Sequence, residues 1–188
     1  MGRSAPPDAT FYFAYGSNLH PRWLRRRVPS AVIIGPATLP GHALEFRKRG
    51  RDGSAKCAAI VSDSARAALP GALYSLREDE LGLLGAAEGG YRRQQVRVGT
   101  TAGPVLAWTW YAETEQLADG LAPWDWYLGL VLAGADYHRL SQEHRRRLAA
   151  VRAQSDPDES RARPARAILA SPLEPPAIRR ARRTTPAQ

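Results

Sequence analysis

The chain of 188 residues has the length of one domain with some to spare, and its 44% hydrophobic and 24% charged residues are those of an ordinary globular protein. No uninterrupted apolar run approaches the ~18–20 residues that cross a bilayer. The single cysteine, Cys57, excludes an intramolecular disulfide and a cysteine-rich zinc site within one chain. The charge is less ordinary: 27 cationic residues face 18 acidic ones, a net +9, and Lys48 and Lys56 are the only lysines among 25 arginines.

The first ten residues lack the long apolar core of a secretory signal. Pro6 stands where a myristoylation motif wants Ser or Thr. The expectation is a cytoplasmic, reducing compartment with no membrane association. Residues 10–15 alternate aromatic and small side chains, then meet Gly16-Ser17-Asn18, which predicts a strand running into a tight turn. Ser17 or Asn18 is placed to cap a short helix carrying Trp23, Leu24 and Val28. Strands follow at 31–39, 43–46, 57–61 and 72–76, the first two separated by Pro40-Gly41. A leucine-bearing helix spans 78–84, and 94–98 with 105–111 reads as a hairpin turning near Gly103-Pro104. Residues 127–132 begin a buried helix, interrupted around Gly134. Tyr137, Leu140, His144, Leu148 and Val151 then repeat at the spacing of an amphipathic helix. The sum is an α+β fold, a mixed, curved, barrel-like β-sheet with surrounding helices.

The domain is expected over 10–152. Residues 153–188 hold six prolines and seven arginines against four acidic residues, with apolar side chains only in islands such as Ile168-Leu169. Such a composition buries little apolar surface, so a basic, mobile tail is expected there. The +9 balance raises nucleic acid as a partner. The arginine runs 25–27, 47–51 and 145–147 also fit solvated faces of a chain biased towards Ala and Arg, and that reading is preferred to a nucleic-acid surface.

The four histidines show no metal-ligand spacing, and neither a phosphate-binding glycine loop nor a nucleophile elbow is present. No metal and no cofactor is expected. Cys57 lies in an apolar run, where it reads as a small core residue. Two stretches remain. The turn Tyr15-Gly16-Ser17-Asn18-Leu19 presents successive backbone N–H groups after a strand, a nest able to hold an anionic or polarised oxygen, with Gly16 permitting close approach. Glu88 stands among small uncharged neighbours and before Gly89-Gly90-Tyr91. Partial desolvation there raises a carboxyl pKa towards the range that shuttles protons. An ordinary strand-ending turn and a solvated glutamate account for the same residues.

Taken in order, these stretches resemble the γ-glutamylcyclotransferase-like family. The Tyr-Gly-Ser-Asn-Leu turn is similar to that family's turn, Gly41-His42-Ala43-Leu44-Glu45-Phe46 to the strand after its first helix, and Gly71-Ala72-Leu73-Tyr74 to the next. Glu88-Gly89 resembles the family's catalytic pair. Tyr127, in the segment reaching Gly134-Ala135, resembles its active-site tyrosine. The resemblance covers residue 10 to about 152. Many members carry an aspartate where this chain has Gly85, a departure expected to alter only a local turn.

The resemblance implies a γ-glutamylcyclotransferase-like fold and a cofactor-independent enzyme that converts a small γ-glutamyl amide, a γ-glutamyl amino acid, to 5-oxoproline and a free amine. It implies Glu88 as the general base and then acid, with the Tyr15–Leu19 turn, Tyr91 and Tyr127 binding substrate. Two other readings stand beside it. One is a γ-glutamylamine cyclotransferase. The other is a non-catalytic binding module on the same fold, its basic tail docking nucleic acid or an acidic partner.

Overall fold

The strand-rich part of the chain closes on itself. The computed structural model describes residues 9–87, 89–171 and 173. Its strands in chain order are β1 (Ala9–Ala14), β2 (Val32–Pro40), β3 (His42–Arg49), β4 (Ala55–Val61), β5 (Ala68–Arg77), β6 (Tyr91–Thr100) and β7 (Gly103–Ala112). Five of them form a closed barrel in the order β1-β5-β2-β6-β7. Its pairs are antiparallel except β1 with β7, which run parallel where Tyr12 lies opposite Trp108. Closure leaves this sheet without a free edge. Buried Phe13, Ala72, Leu73, Tyr74, Val98 and Ala107 belong to the core built around it.

β3 and β4 form a separate antiparallel ribbon. Arg47 is an extra residue in it, a bulge between the pairs Phe46–Cys57 and Lys48–Lys56. A bulge re-aims the side chains that follow it. Lys48 is buried at 4% exposure, whereas the adjacent Arg47 reaches Asp119 on the surface.

The helices are α1 (Pro21–Arg25), α2 (Leu81–Ala87), α3 (Asp125–Tyr137), α4 (Gln142–Ala149) and α5 (Glu159–Leu169). The strands expected from sequence all occur, several of them longer. Three local expectations change. Residues Ser17–Leu19 form a 3-10 turn of their own, so His20 rather than Ser17 or Asn18 caps α1, its Nδ1 accepting the Trp23 N–H at 3.4 Å. Helix α3 continues through Gly134 instead of stopping there. The chain breaks later, where Arg139 takes a left-handed φ of 51° and the Ser141 hydroxyl caps α4. The apolar spacing of 137–151 is thus divided between two helices.

The third change concerns the segment expected as a mobile tail. Residues 153–171 contain α5, whose Ala162 and Ala165 are fully buried and which packs beside α3. Asp156 fastens this segment. Its carboxylate accepts from Trp126 Nε1 at 2.8 Å, from Arg161 Nε at 2.8 Å and from the Asp158 N–H at 2.9 Å. Residues 1–8, 88, 172 and 174–188 lie outside the described residues.

Candidate active site

The turn after β1 is held from two sides. Its own hydrogen bonds, Leu19 N–H to Gly16 at 2.9 Å and His20 N–H to Ser17 at 3.1 Å, close a 3-10 turn. The N–H groups of Gly16 and Ser17 precede that first bond and are therefore not consumed by the turn. Helix α3 presses on the turn through Gly134. A Cβ at that position would fall 2.5 Å from Leu19 Cβ and 2.7 Å from the His20 nitrogen. Behind it, the Tyr74 hydroxyl donates to the Leu19 carbonyl at 2.9 Å, and His138 Nε2 lies 3.0 Å from the same oxygen.

A cavity of about 250 Å³ opens beside this turn. Tyr15, Gly16, Ser17 and Asn18 line it, as do Gly89, Tyr91 and Tyr127. Leu19 does not; it is fully buried and belongs to the core. Tyr127 projects from the first turn of α3, and its hydroxyl accepts the Cys57 N–H at 3.1 Å. The same hydroxyl would lie 3.2 Å from a Cβ on Gly16, so a side chain there would crowd it. Tyr91 donates to the Cys57 carbonyl at 2.7 Å. Both tyrosines are thus anchored on β4 at the residue that lies beside Gly16. The Tyr15 hydroxyl donates to the Trp110 carbonyl, and Asn18 Nδ2 donates to the Tyr12 hydroxyl at 3.0 Å. Glu88 lies outside the described residues; its neighbour Gly89 lines the cavity and accepts Lys48 Nζ at 2.7 Å. Gly85 sits within α2 rather than in a turn, with ordinary van der Waals room towards Trp110.

Sequence reasoning missed a polar group in the same cavity, carried by the β3–β4 ribbon and its connection. Lys48, Arg51, Asp52 and Lys56 line the cavity, joined from the end of α1 by Arg27. Lys56 Nζ donates to Asp52 at 2.7 Å and to Ser54 Oγ at 2.8 Å, and stands over the rings of Trp126 and Tyr127. Burial pushes the Lys56 pKa below its ordinary value, with Asp52 opposing the shift. Burial pushes Asp52 upward, but its bonds with Lys56 and Ser54 outweigh that and hold it below the usual carboxylate range. One signal was available: in a chain that otherwise uses arginine, both lysines line this one cavity.

Residues 12–128 match the sequence profile of the family described as gamma-glutamyl cyclotransferase, AIG2-like. The chain belongs to that family. The matched stretch spans the Tyr15–Asn18 turn, Glu88, Tyr91 and Tyr127. In fold it is similar to a solved structure named gamma-glutamyl cyclotransferase, with a TM-score of 0.72 and 21% identity over 86% of this chain and 98% of that one. The human protein loc79017 is similar at TM-score 0.74 and 21% identity, covering 87% of this chain and 99% of that one. YkqA from Bacillus subtilis reaches TM-score 0.64 at 21% identity over 78% of this chain and 56% of that one. No curated protein matches the chain in sequence.

Proposed function

We propose that this protein is a cyclotransferase that converts a γ-glutamyl amide to 5-oxoproline and a free amine. The observation that carries the reading is the convergence of the Tyr15–Asn18 turn, Tyr91, Tyr127 and Gly89 on one cavity in a chain of this family.

The substrate supplies its own nucleophile. Its α-amine attacks its own γ-carbonyl carbon, forming the ring C–N bond while the carbonyl π electrons move to oxygen. The tetrahedral intermediate then collapses, the exocyclic C–N bond breaks, and the departing nitrogen takes up a proton. Holding an intramolecular reaction in a near-attack geometry supplies up to about 7–11 kcal/mol of the barrier. Glu88 is assigned the proton traffic, taking a proton from the α-ammonium and returning it to the leaving nitrogen. The Gly16 and Ser17 N–H groups are assigned to a substrate oxygen that carries or develops negative charge. Tyr127 and Tyr91, fixed at their hydroxyls by Cys57, would form a rigid wall against the glutamyl chain.

Purified protein incubated with a panel of γ-glutamyl amides tests the reading. Release of 5-oxoproline and the matching amine in equal amounts is expected. Absence of 5-oxoproline across the panel would refute it.

A further inference from the structure

Among the described residues of the cavity wall, cationic side chains outnumber carboxylates. Among its described residues Arg27, Lys48, Arg51 and Lys56 face a single acid, Asp52, which is already paired with Lys56. Lys48 is engaged with the Gly89 carbonyl. Arg27 and Arg51 are the two arginines that line the cavity, and neither has an acidic partner among the described residues.

These two arginines come from separate segments of the chain. Arg27 lies beside the turn, its Nη1 donating to Asn18 Oδ1 at 3.3 Å. Arg51 belongs to the β3–β4 connection, and its guanidinium lies across Gly89, where a Cβ would fall 3.0 Å from both Cζ and Nε. The absence of a side chain at Gly89 is what lets the planar group lie there. Arg51 is exposed and lines the cavity.

We propose that Arg51 is a specificity residue that pairs with a carboxylate on the leaving amine, so that the pocket prefers γ-glutamyl amino acids to γ-glutamyl amines. This rests on the cyclotransferase reading given above. Every γ-glutamyl substrate brings the α-carboxylate of its glutamyl part, and Arg27, bonded to Asn18 of the turn, is assigned to it. Only an amino-acid leaving group brings a second carboxylate beyond the scissile bond. Two cavity-lining arginines without an acidic partner among the described residues, one following α1 and one in the β3–β4 connection, match two separate carboxylates, and a guanidinium suits the bidentate geometry. Because Arg51 is exposed, it contributes selectivity rather than a large share of affinity.

The test compares γ-glutamylalanine with γ-glutamylalaninamide, which differ only in that second carboxylate. Both turnover and calorimetric binding are measured for the wild type, Arg51→Gln, Arg51→Lys and Arg27→Gln. The wild type is expected to favour the acid by about fivefold to tenfold in kcat/KM and in affinity, between the values for exposed and well-formed charge pairs. Arg51→Gln brings that ratio to within about twofold, Arg51→Lys keeps part of it, and raised salt diminishes it. Arg27→Gln weakens both compounds and preserves the ratio. Equal wild-type use of acid and amide, or an equal loss of both in Arg51→Gln with the ratio intact, would overturn the proposal. If neither compound yields 5-oxoproline but carboxylate-dependent binding is lost in Arg51→Gln, the subsite stands and the cyclotransferase reading fails.

Discussion

At the scale of residues, Tyr127 ties the cavity wall to two neighbouring elements. Its hydroxyl meets the Cys57 N–H and crowds Gly16, while its ring lies 4.6 Å from Lys56 Nζ. Tyr127→Phe preserves the ring and removes the acceptor. The variant is expected to lose about 1–2 kcal/mol of stability in a denaturant melt. Its kcat/KM is expected to fall by about tenfold or more, because the wall beside Gly16 is no longer fixed. A melt and a rate both equal to wild type would remove Tyr127 from the account. The turn and both tyrosines were legible in sequence because each sits in a short contiguous motif. Arg27, Arg51 and Asp52 were not, since only the folding of α1 and of the β3–β4 ribbon brings them to one cavity.

At the scale of elements, close packing of helices on backbone positions the site. Gly134 lets α3 touch the turn at Leu19 and His20, so Gly134→Ala must move one against the other. Overpacking of this kind costs about 1–3 kcal/mol. Here the loss is expected in both melting temperature and kcat, since the displaced turn lines the cavity. An alanine variant with wild-type stability would show that α3 does not set the turn. Helix α5 illustrates why composition misleads. Its buried face is made of Ala162 and Ala165, and Leu169 fits over Gly129, where a Cβ would fall 2.9 Å from Leu169 Cδ1. Small residues permit near approach and bury well despite low hydropathy, so an Ala-, Pro- and Arg-rich stretch reads as tail from sequence. The barrel was more legible, because alternation and turn residues report strands directly. The break between α3 and α4 was not, since the apolar spacing runs on across it.

At the scale of the whole molecule, the net charge of +9 arises from arginines in excess of the carboxylates available to pair with them. Most of the pairs are exposed, and such pairs contribute little to stability. The Asp156–Arg161 pair differs because its carboxylate is fully covered and also holds Trp126, a residue of the cavity wall. Asp156→Ala is expected to destabilise the fold by about 1–3 kcal/mol, as the buried Trp126 Nε1 loses its acceptor and the partly exposed Arg161 its partner. Acid should act earlier through two histidines. Burial lowers His20 and His138 from 6.5 to about 4, so the folded state resists protonation that the unfolded state accepts. Their contribution is complete above pH 6.5 and lost as pH falls towards about 4, so the melting temperature should decline across that window. A melting temperature flat from pH 7 to about 4.5 would contradict this placement of the two imidazoles.

The most direct test of the central claim is the rate of 5-oxoproline release from γ-glutamylalanine by the wild type and by Glu88→Gln, with melting temperatures measured alongside. The expected result is release by the wild type and a loss of at least about 100-fold in the variant at unchanged melting temperature. Equal rates in the two proteins would contradict it.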